Sequence, residues 1–321
     1  MTSPNQAREV LASMVRQYTG TPVQPDDLQT VSAGASGRSI MRAAGVLGIH
    51  WTSQRADNNS FLPAAHGLAT AGIRVPAILA ETPLPGNSGA CLVQDLGATD
   101  ILSLRHAPWA ERRAAYEQAF RTLLPLYQLR PQWELQPPFD AALYRWEQEY
   151  FAEHLIGRHL GGDPAAFLAE PALQTMADWL AGLPRVPVHR DCQSQNIMLH
   201  AGSAWLIDFQ GMRYGRQEYD LASLVYDPYM QLNESERHDL LHLWEQMSGA
   251  SITPDIFSAC AMQRLMQALG AFANIGYNQQ REWYRNLIPA GIDALRHAAA
   301  HTPADSPATP VAACILQLLN T

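Results

Sequence analysis

One stretch, VHRDCQSQNIMLHAGSAWLIDFQ from Val188 to Gln210, constrains this chain more than any other. Two apolar runs, NIMLH and AWLIDF, flank a small-residue turn, AGS, so a short strand pair is expected there. Asp191 precedes the first run, Asn196, five positions on, opens it, and Asp208 lies at the end of the second. Only 16% of the chain is charged. Two carboxylates and a carboxamide fixed to one hairpin therefore need either a ligand or a dense hydrogen-bond network to satisfy them.

That order of groups suits phosphoryl transfer from ATP. One carboxylate, Asp191, would orient an acceptor hydroxyl and take its proton, while Asn196 and Asp208 would hold Mg²⁺ on the nucleotide phosphates. His189-Arg190-Asp191, then Asn196, then Asp208-Phe209-Gln210, resembles the H-R-D-x-x-x-x-N loop and D-F-G turn of protein kinases. His189 is expected to brace the loop by hydrogen bonding and Arg190 to pair with a carboxylate. His200, at the hairpin turn, is expected to be exposed.

The rest of the 321 residues divides around this stretch. Pro4 to Tyr18 has helical periodicity, LQTVSAGASGRSIMRAAGVLGIHW reads as short strands joined by small-residue turns, and IRVPAILAET and GACLVQDLG read as two more strands. DNNSFLPAAHGLATAG reads as a helix capped by Asp57, Asn58 or Asn59 and closed by Gly72. After Gly97 the pattern is mostly helical, and Asn233 or Ser235 is placed to cap the helix in NESERHDLL. The expectation is an α+β, bilobal, protein-kinase-like fold: a small β-rich nucleotide-binding N-lobe over 1–93, a hinge at 94–97, and a larger, mainly helical, catalytic and acceptor-binding C-lobe over 98–321.

Composition narrows the partners. All 22 basic residues are Arg and none is Lys, so no step can use a lysine base, Schiff base or phosphate clamp. The net charge of −8 argues against a nucleic-acid surface. No apolar stretch is long enough to span a membrane, and the N-terminal segment, with Arg8, Glu9 and Arg16, does not read as a signal peptide. Four scattered cysteines without a CxxC fit a reduced, cytoplasmic chain. The expected partner is a small molecule, and the expected state a monomer or weak dimer.

The pattern HxDxxxxN…D followed by YGRQEYDLASLVYDP resembles the aminoglycoside phosphotransferase and choline kinase-like group, relatives of the protein kinases. The resemblance implies ATP and Mg²⁺ as cofactors and a buried, structural Asp220 that braces the catalytic loop. It places VSAGASGRSIMR at the nucleotide loop, with Ser32, Gly34, Ser36, Gly37, Arg38 and Arg42 near the phosphates. It also places Gln94, Asp95 and Leu96 at the adenine edge. The strand that carries the phosphate-pairing lysine of protein kinases is here AGVLGIHW, without one; Arg38, Arg42 or Arg55 is left to substitute, with Asp57 or Asn58 in place of the helix acid.

FAEHLIGRHLGG, VHRDCQSQNIML, LIDFQGMRYGRQEYDLASLVYDPY and MQRLMQALGAFANI further resemble segments of the cell-wall amino-sugar anomeric kinases. That likeness implies phosphorylation of N-acetylmuramate or N-acetylglucosamine at the C1 hydroxyl in peptidoglycan recycling. Glu153, Arg158, Asp227 and Arg264 would then line the sugar pocket; a salt bridge, a helix cap or helix packing are their structural alternatives, and Gln263 faces the same choice as Arg264. Aminoglycoside kinases crowd acids near the C-terminus, whereas Asp255, Asp293 and Asp305 are spread out here. Another small acceptor of the choline or aminoglycoside type, or a non-catalytic nucleotide binder on the same fold, are the alternatives.

Overall fold

The computed structural model describes residues 4–33, 38–52, 56–86 and 88–320. Five antiparallel strands, β1 (Gln29–Ala33), β2 (Arg38–Ala43), β3 (Val46–Trp51), β4 (Ile78–Leu84) and β5 (Ser88–Gln94), form one sheet in the order β1-β2-β3-β5-β4. The β2–β3 turn is only Ala44-Gly45, with φ of 48° and 77°. Positive φ at both positions matches the twist of the flanking strands, and glycine takes it without strain.

Alternation along the strands sends the sheet's two faces to different neighbours. Val46, Ala90 and Leu92 pack with Leu11 and Val15 of helix α1 (Pro4–Thr19). At Gly48 a Cβ would lie 2.9 Å from Leu11, so glycine lets α1 sit close. Ile49, Trp51, Cys91 and Val93 face the other way, toward helix α2 (Phe61–Thr70). The expected cap at Asp57 to Asn59 does not form. A 3₁₀ turn, Ala56–Ser60, leads into α2, and Ser60 stands at the cap position without a side-chain bond. Gly72, with φ of 77°, follows the helix as expected.

The remaining chain is mainly helical: α3 (Trp109–Leu126), α4 (Ala141–Phe151), α5 (Pro164–Leu168), α6 (Pro171–Gly182), α7 (Gln217–Val225), α8 (Glu234–Ser248), α9 (Pro254–Asn278), α10 (Glu282–Arg285), α11 (Ile288–Ala300) and α12 (Thr309–Leu319). Helix α4 continues as a π-helix over Ala152–Leu160. Helix α9 is buried on every side from Phe257 to Gly270, because α4, α7 and α11 pack around it. Asn233 caps α8 reciprocally with Glu236, through bonds of 3.0 and 3.1 Å.

Two short strand pairs hold the functional stretch: β6 (Val186–Val188) with β9 (Arg213–Gly215), and β7 (Ile197–His200) with β8 (Ser203–Leu206). The second is the hairpin read from sequence. The first is too short for its three-residue strands to show a period. Main-chain bonds tie β7 to the segment that follows β5 and β8 to the segment that leads into β4: Leu199 N donates to Thr99 O at 2.8 Å and Leu206 N to Arg74 O at 2.9 Å. The fold is thus a small β-sheet region and a larger helical region of the protein-kinase type. Among the described residues no helix is long and apolar enough to cross a membrane.

Candidate active site

The loop between β6 and β7 is shaped by one buried carboxylate. Asp220, in α7, accepts from His189 N at 2.7 Å and Arg190 N at 2.9 Å, and from the Tyr127 hydroxyl at 3.3 Å. Burial pushes its pKa up, and those donors, with His189 nearby, oppose the shift. His189 closes the loop from the other side, its Nε2 donating to the Ile207 carbonyl at 2.9 Å. Arg190 adopts a left-handed φ of 77°, uncommon for a residue with a side chain. The two backbone bonds to Asp220 hold it there.

Asp191 follows that turn and is partly open to solvent. Its Oδ2 accepts from Arg190 Nη1 at 2.7 Å. Burial alone would raise its pKa; the Arg190 guanidinium, helped by Arg264, outweighs burial and brings it down to about 2. Behind this pair lies an unanticipated network. Glu147 is fully buried on α4 and accepts from the Tyr219 hydroxyl at 2.9 Å and Gln263 Nε2 at 3.0 Å. Burial raises its pKa, while Arg190 draws it back. The available signal was a charge on an apolar face: Tyr144, Glu147, Gln148 and Phe151 share the buried side of α4.

Asp208 leaves β8 with φ of 61°. Its Oδ1 is ion-paired with Arg38 Nη2 and accepts from Gln210 Nε2 at 3.0 Å, while Arg38 Nη1 donates to Gln210 Oε1 at 3.0 Å. Arg38 is 6% exposed, and its guanidinium lies 5.8 Å from the centroid of the Phe61 ring. Phe61 stacks on Phe209 at 5.4 Å, so α2 is docked directly on the turn that carries Asp208. Asn196 spends its Nδ2 on the Asp191 carbonyl at 2.9 Å, which leaves Oδ1 as an oxygen donor. Carboxylate and amide oxygens are the hard donors that Mg²⁺ takes, so these side chains fit that ion.

A cleft of about 120 Å³ opens beside Asp191. Gln193, Gln195, Tyr229, Arg264 and Gln267 supply its polar lining and Phe272 part of its apolar wall. Arg264 is held by Ser223 Oγ at 3.0 Å, by Gln193 Oε1 at 3.3 Å and by Gln267 Oε1. Asp227 sits behind the cleft rather than in it. Its carboxylate accepts from Ser194 N at 2.8 Å and Tyr229 N at 2.9 Å, which fixes the loop on one side and the Tyr229 wall on the other. Gln263 is likewise internal, donating to the Tyr144 carbonyl at 2.8 Å.

The structure does not bring Glu153 and Arg158 into this cleft. Both lie on the π-helix, whose buried side is Ala152, Leu155 and Ile156. The Glu153 side chain is 76% exposed, and Arg158 lies over the Tyr277 ring at 5.8 Å. The cleft glutamines were missed because isolated Gln residues carry no spacing signal.

On the sheet side, Arg42 is committed to the segment after β5. It forms a bidentate pair with Asp95, at 2.6 and 2.9 Å, and donates to Gly97 O at 2.9 Å. Burial would raise the Asp95 pKa; Arg42 and the Gly97 amide lower it. Gln94 N donates to Ala77 O at 2.9 Å, and Leu96 is buried. His200, expected to be exposed, instead reaches back through Nδ1 to the Leu96 carbonyl at 3.1 Å. Ser32 lies on β1, while Gly34, Ser36, Gly37 and Arg55 fall outside the described residues.

A two-region fold with a braced Asp191, an Asn196 and an Asp208 on the same loop and hairpin, and an adjoining cleft defines the class of kinase-like phosphotransferases. The chain belongs to the phosphotransferase enzyme family, whose profile matches residues 28–254. It is a kinase that uses an alcohol as phosphoryl acceptor. It is 28% identical over 304 residues to an N-acetylmuramate/N-acetylglucosamine kinase of Pseudomonas aeruginosa, covering 88% of this chain and 86% of that one. A relative with the same name from Neisseria meningitidis is 28% identical over 242 residues, 71% of each chain. Among solved structures, a choline/ethanolamine kinase family protein from Mesorhizobium loti superposes with a TM-score of 0.62 at 16% identity, over 97% of this chain and 98% of that one. An aminoglycoside phosphotransferase from Streptomyces rimosus, in complex with ADP and streptomycin, gives 0.56 at 16% identity over 73% and 94%. At such identity the two structures speak to the fold alone.

Proposed function

We propose that this kinase transfers the γ-phosphoryl group of ATP to the anomeric C1 hydroxyl of N-acetylmuramate or N-acetylglucosamine. The observation that carries the reading is the lining of the Asp191 cleft. Its charged groups are Asp191 and Arg264 alone among the described residues, and its other polar groups are amides and tyrosines. A cationic acceptor such as choline or an aminoglycoside would meet Arg264 and no carboxylate besides Asp191. A neutral or anionic sugar would meet amides suited to hydroxyl and acetamido groups. The relatives named for both sugars support the same choice.

Asp191 aligns the acceptor hydroxyl and receives its proton. Held at about 2 by Arg190 after burial's opposite push, it is a weak base. That suits a loose phosphoryl transition state, in which positioning matters more than early proton removal, and an anomeric hydroxyl is more acidic than an ordinary alcohol. Asn196 and Asp208 would hold Mg²⁺, which supplies neutralisation of the phosphate charge. In this lysine-free chain the cation beside Asp208 is Arg38, and we assign it the phosphate-pairing role; Arg42 is occupied by Asp95.

The test is a panel of acceptors with ATP and Mg²⁺: both N-acetylated sugars, the 1-O-methyl glycoside of N-acetylglucosamine, choline and an aminoglycoside. Turnover of the free sugars, none of the blocked glycoside, and loss of turnover in Asp191→Asn are expected. Phosphorylation of the blocked glycoside would move the reaction off C1, and preference for choline or the aminoglycoside would overturn the acceptor class.

A further inference from the structure

Far from the hairpin, two histidines one helical turn apart share a face at the end of α11. His297 and His301 stack with ring centroids 3.9 Å apart and an interplanar angle of 12°. Glu234, the first residue of α8, faces them, with its Oε1 3.9 Å from His301 Nε2. One ligand atom from each of the three side chains lies within 4.8 Å of the others.

We propose that Glu234, His297 and His301 form a binding site for a borderline transition-metal dication of the Zn²⁺ type, clamping the C-terminal end of α11 to the N-terminus of α8. Imidazoles at i and i+4 on a helix can each give one nitrogen to a shared ion, and a carboxylate from a second helix completes a set of three; because the rings here lie nearly parallel, binding requires one of them to tilt toward the other. A fourth position remains for water.

The tautomers fit this use. His301 Nδ1 lies 2.8 Å from the His297 carbonyl, which only accepts, so Nδ1 carries the proton and Nε2 keeps its lone pair. His297 Nδ1 lies 3.2 Å from the Tyr226 hydroxyl, and its Nε2 is buried without a hydrogen-bond partner. An Nδ1–H of His297 donated to the Tyr226 hydroxyl would leave the Nε2 lone pair unused, the arrangement of metal-ligating histidines. Tetrahedral Zn²⁺ with Zn–N near 2.0 Å needs ligand atoms about 3.4 Å apart. The three ligand atoms lie within 4.8 Å of one another, so binding draws the exposed Glu234 carboxylate inward and tilts His301 out of its stack on His297, loosening its Nδ1 bond to the His297 carbonyl.

The surroundings of His297 are apolar and cationic. Burial, followed by Arg237 and His301, brings the His297 pKa down to about 4, against a smaller upward pull from Glu234. Arg237, whose guanidinium lies 5.0 Å from the centroid of the Tyr226 ring, adds a positive charge nearby. It weakens affinity and favours a cation held by covalent character over a purely ionic one such as Mg²⁺.

The measurement is calorimetric titration of tag-free, full-length protein with Zn²⁺, repeated with Co²⁺ and with excess Mg²⁺ present, beside a thermal melt. The comparison protein is the double variant Glu234→Gln, His301→Gln, whose positions are exposed and leave the Tyr226 contact of His297 intact. One Zn²⁺ per chain, undisplaced by Mg²⁺, a raised melting temperature, and affinity about tenfold or more weaker in the double variant are expected. Equal Zn²⁺ affinity in the two proteins would place the ion elsewhere, for example on a cysteine, and overturn the proposal. So would no saturable binding to a wild type that melts normally.

Discussion

At the residue scale, Arg190 does two jobs that pull against each other. It occupies a left-handed turn imposed by Asp220, and its side chain lowers the basicity of Asp191, the carboxylate we assign to take the acceptor's proton. The Asp191 pKa stands near 2 against an ordinary 3.8. A carboxyl depressed on folding adds stability above its unfolded pKa, and loses that contribution as pH falls through the folded value. Asp191 should therefore cause no acid limb in kcat/KM above about pH 4. Arg190→Gln removes the charge that offsets burial, so an acid limb should appear at higher pH in that variant; a profile superimposable on wild type would refute the coupling. Arg38 is the second residue with a divided role, because the carboxylate it pairs with is also the metal ligand we assign. Arg38→Met should weaken ATP binding in the presence of Mg²⁺ about 10- to 100-fold by calorimetry, the size of a lost charge-assisted bond. Arg38→Lys should recover part of that. Unchanged affinity in both would leave the phosphate without the partner proposed here.

At the element scale, α9 is the wall that decides the cleft. It supplies Arg264, Gln267 and Phe272 to the lining while its other sides are buried against α4, α7 and α11. Its crossing with the end of α4 depends on Gly270, where a Cβ would lie 2.8 Å from the Tyr150 ring and 3.0 Å from the Tyr150 backbone. The backbone cannot swing aside as a side-chain tip can, so Gly270→Ala should destabilise the fold by about 1–3 kcal/mol in denaturant unfolding. A change within a few tenths would mean the helices part without cost. The elements were unevenly legible. The β7–β8 hairpin, α1 and the Asn233 cap follow from alternation, periodicity and a capping box, all local properties. The π-helix left no local mark, and Glu153 and Arg158, expected from sequence in the sugar pocket, lie on it and are not in the lining of the Asp191 cleft. The 3₁₀ turn before α2 likewise replaced an expected cap, since docking of Phe61 on Phe209 sets where that helix begins.

At the scale of the whole molecule, sheet and helices share one core. A continuous cluster of buried apolar side chains runs from Ile49 and Trp51 through Phe61 and Phe209 to Tyr219, Met262 and Leu269. The sheet has its own second cluster only on the side covered by α1. Regions joined through packed side chains should melt together, so calorimetry should give a single transition, and Phe61→Ala should lower its midpoint without splitting it. Two resolved transitions in wild type would show that the sheet folds on its own.

The sequence by itself determined which groups are present and in what order: Asp191, Asn196 and Asp208 on a loop and hairpin, and a cation inventory restricted to arginine. These are covalent facts, fixed by spacing and composition. Only the tertiary structure decided which arginine serves which carboxylate, because β2 carries Arg38 and Arg42 on the same face and sheet geometry sends one to Asp208 and the other to Asp95. It also decided the acceptor wall, since Gln193, Gln267 and Tyr229 come from separate segments that meet only once α9 is packed. Contacts between residues distant in the chain are set by packing, and local pattern does not encode them.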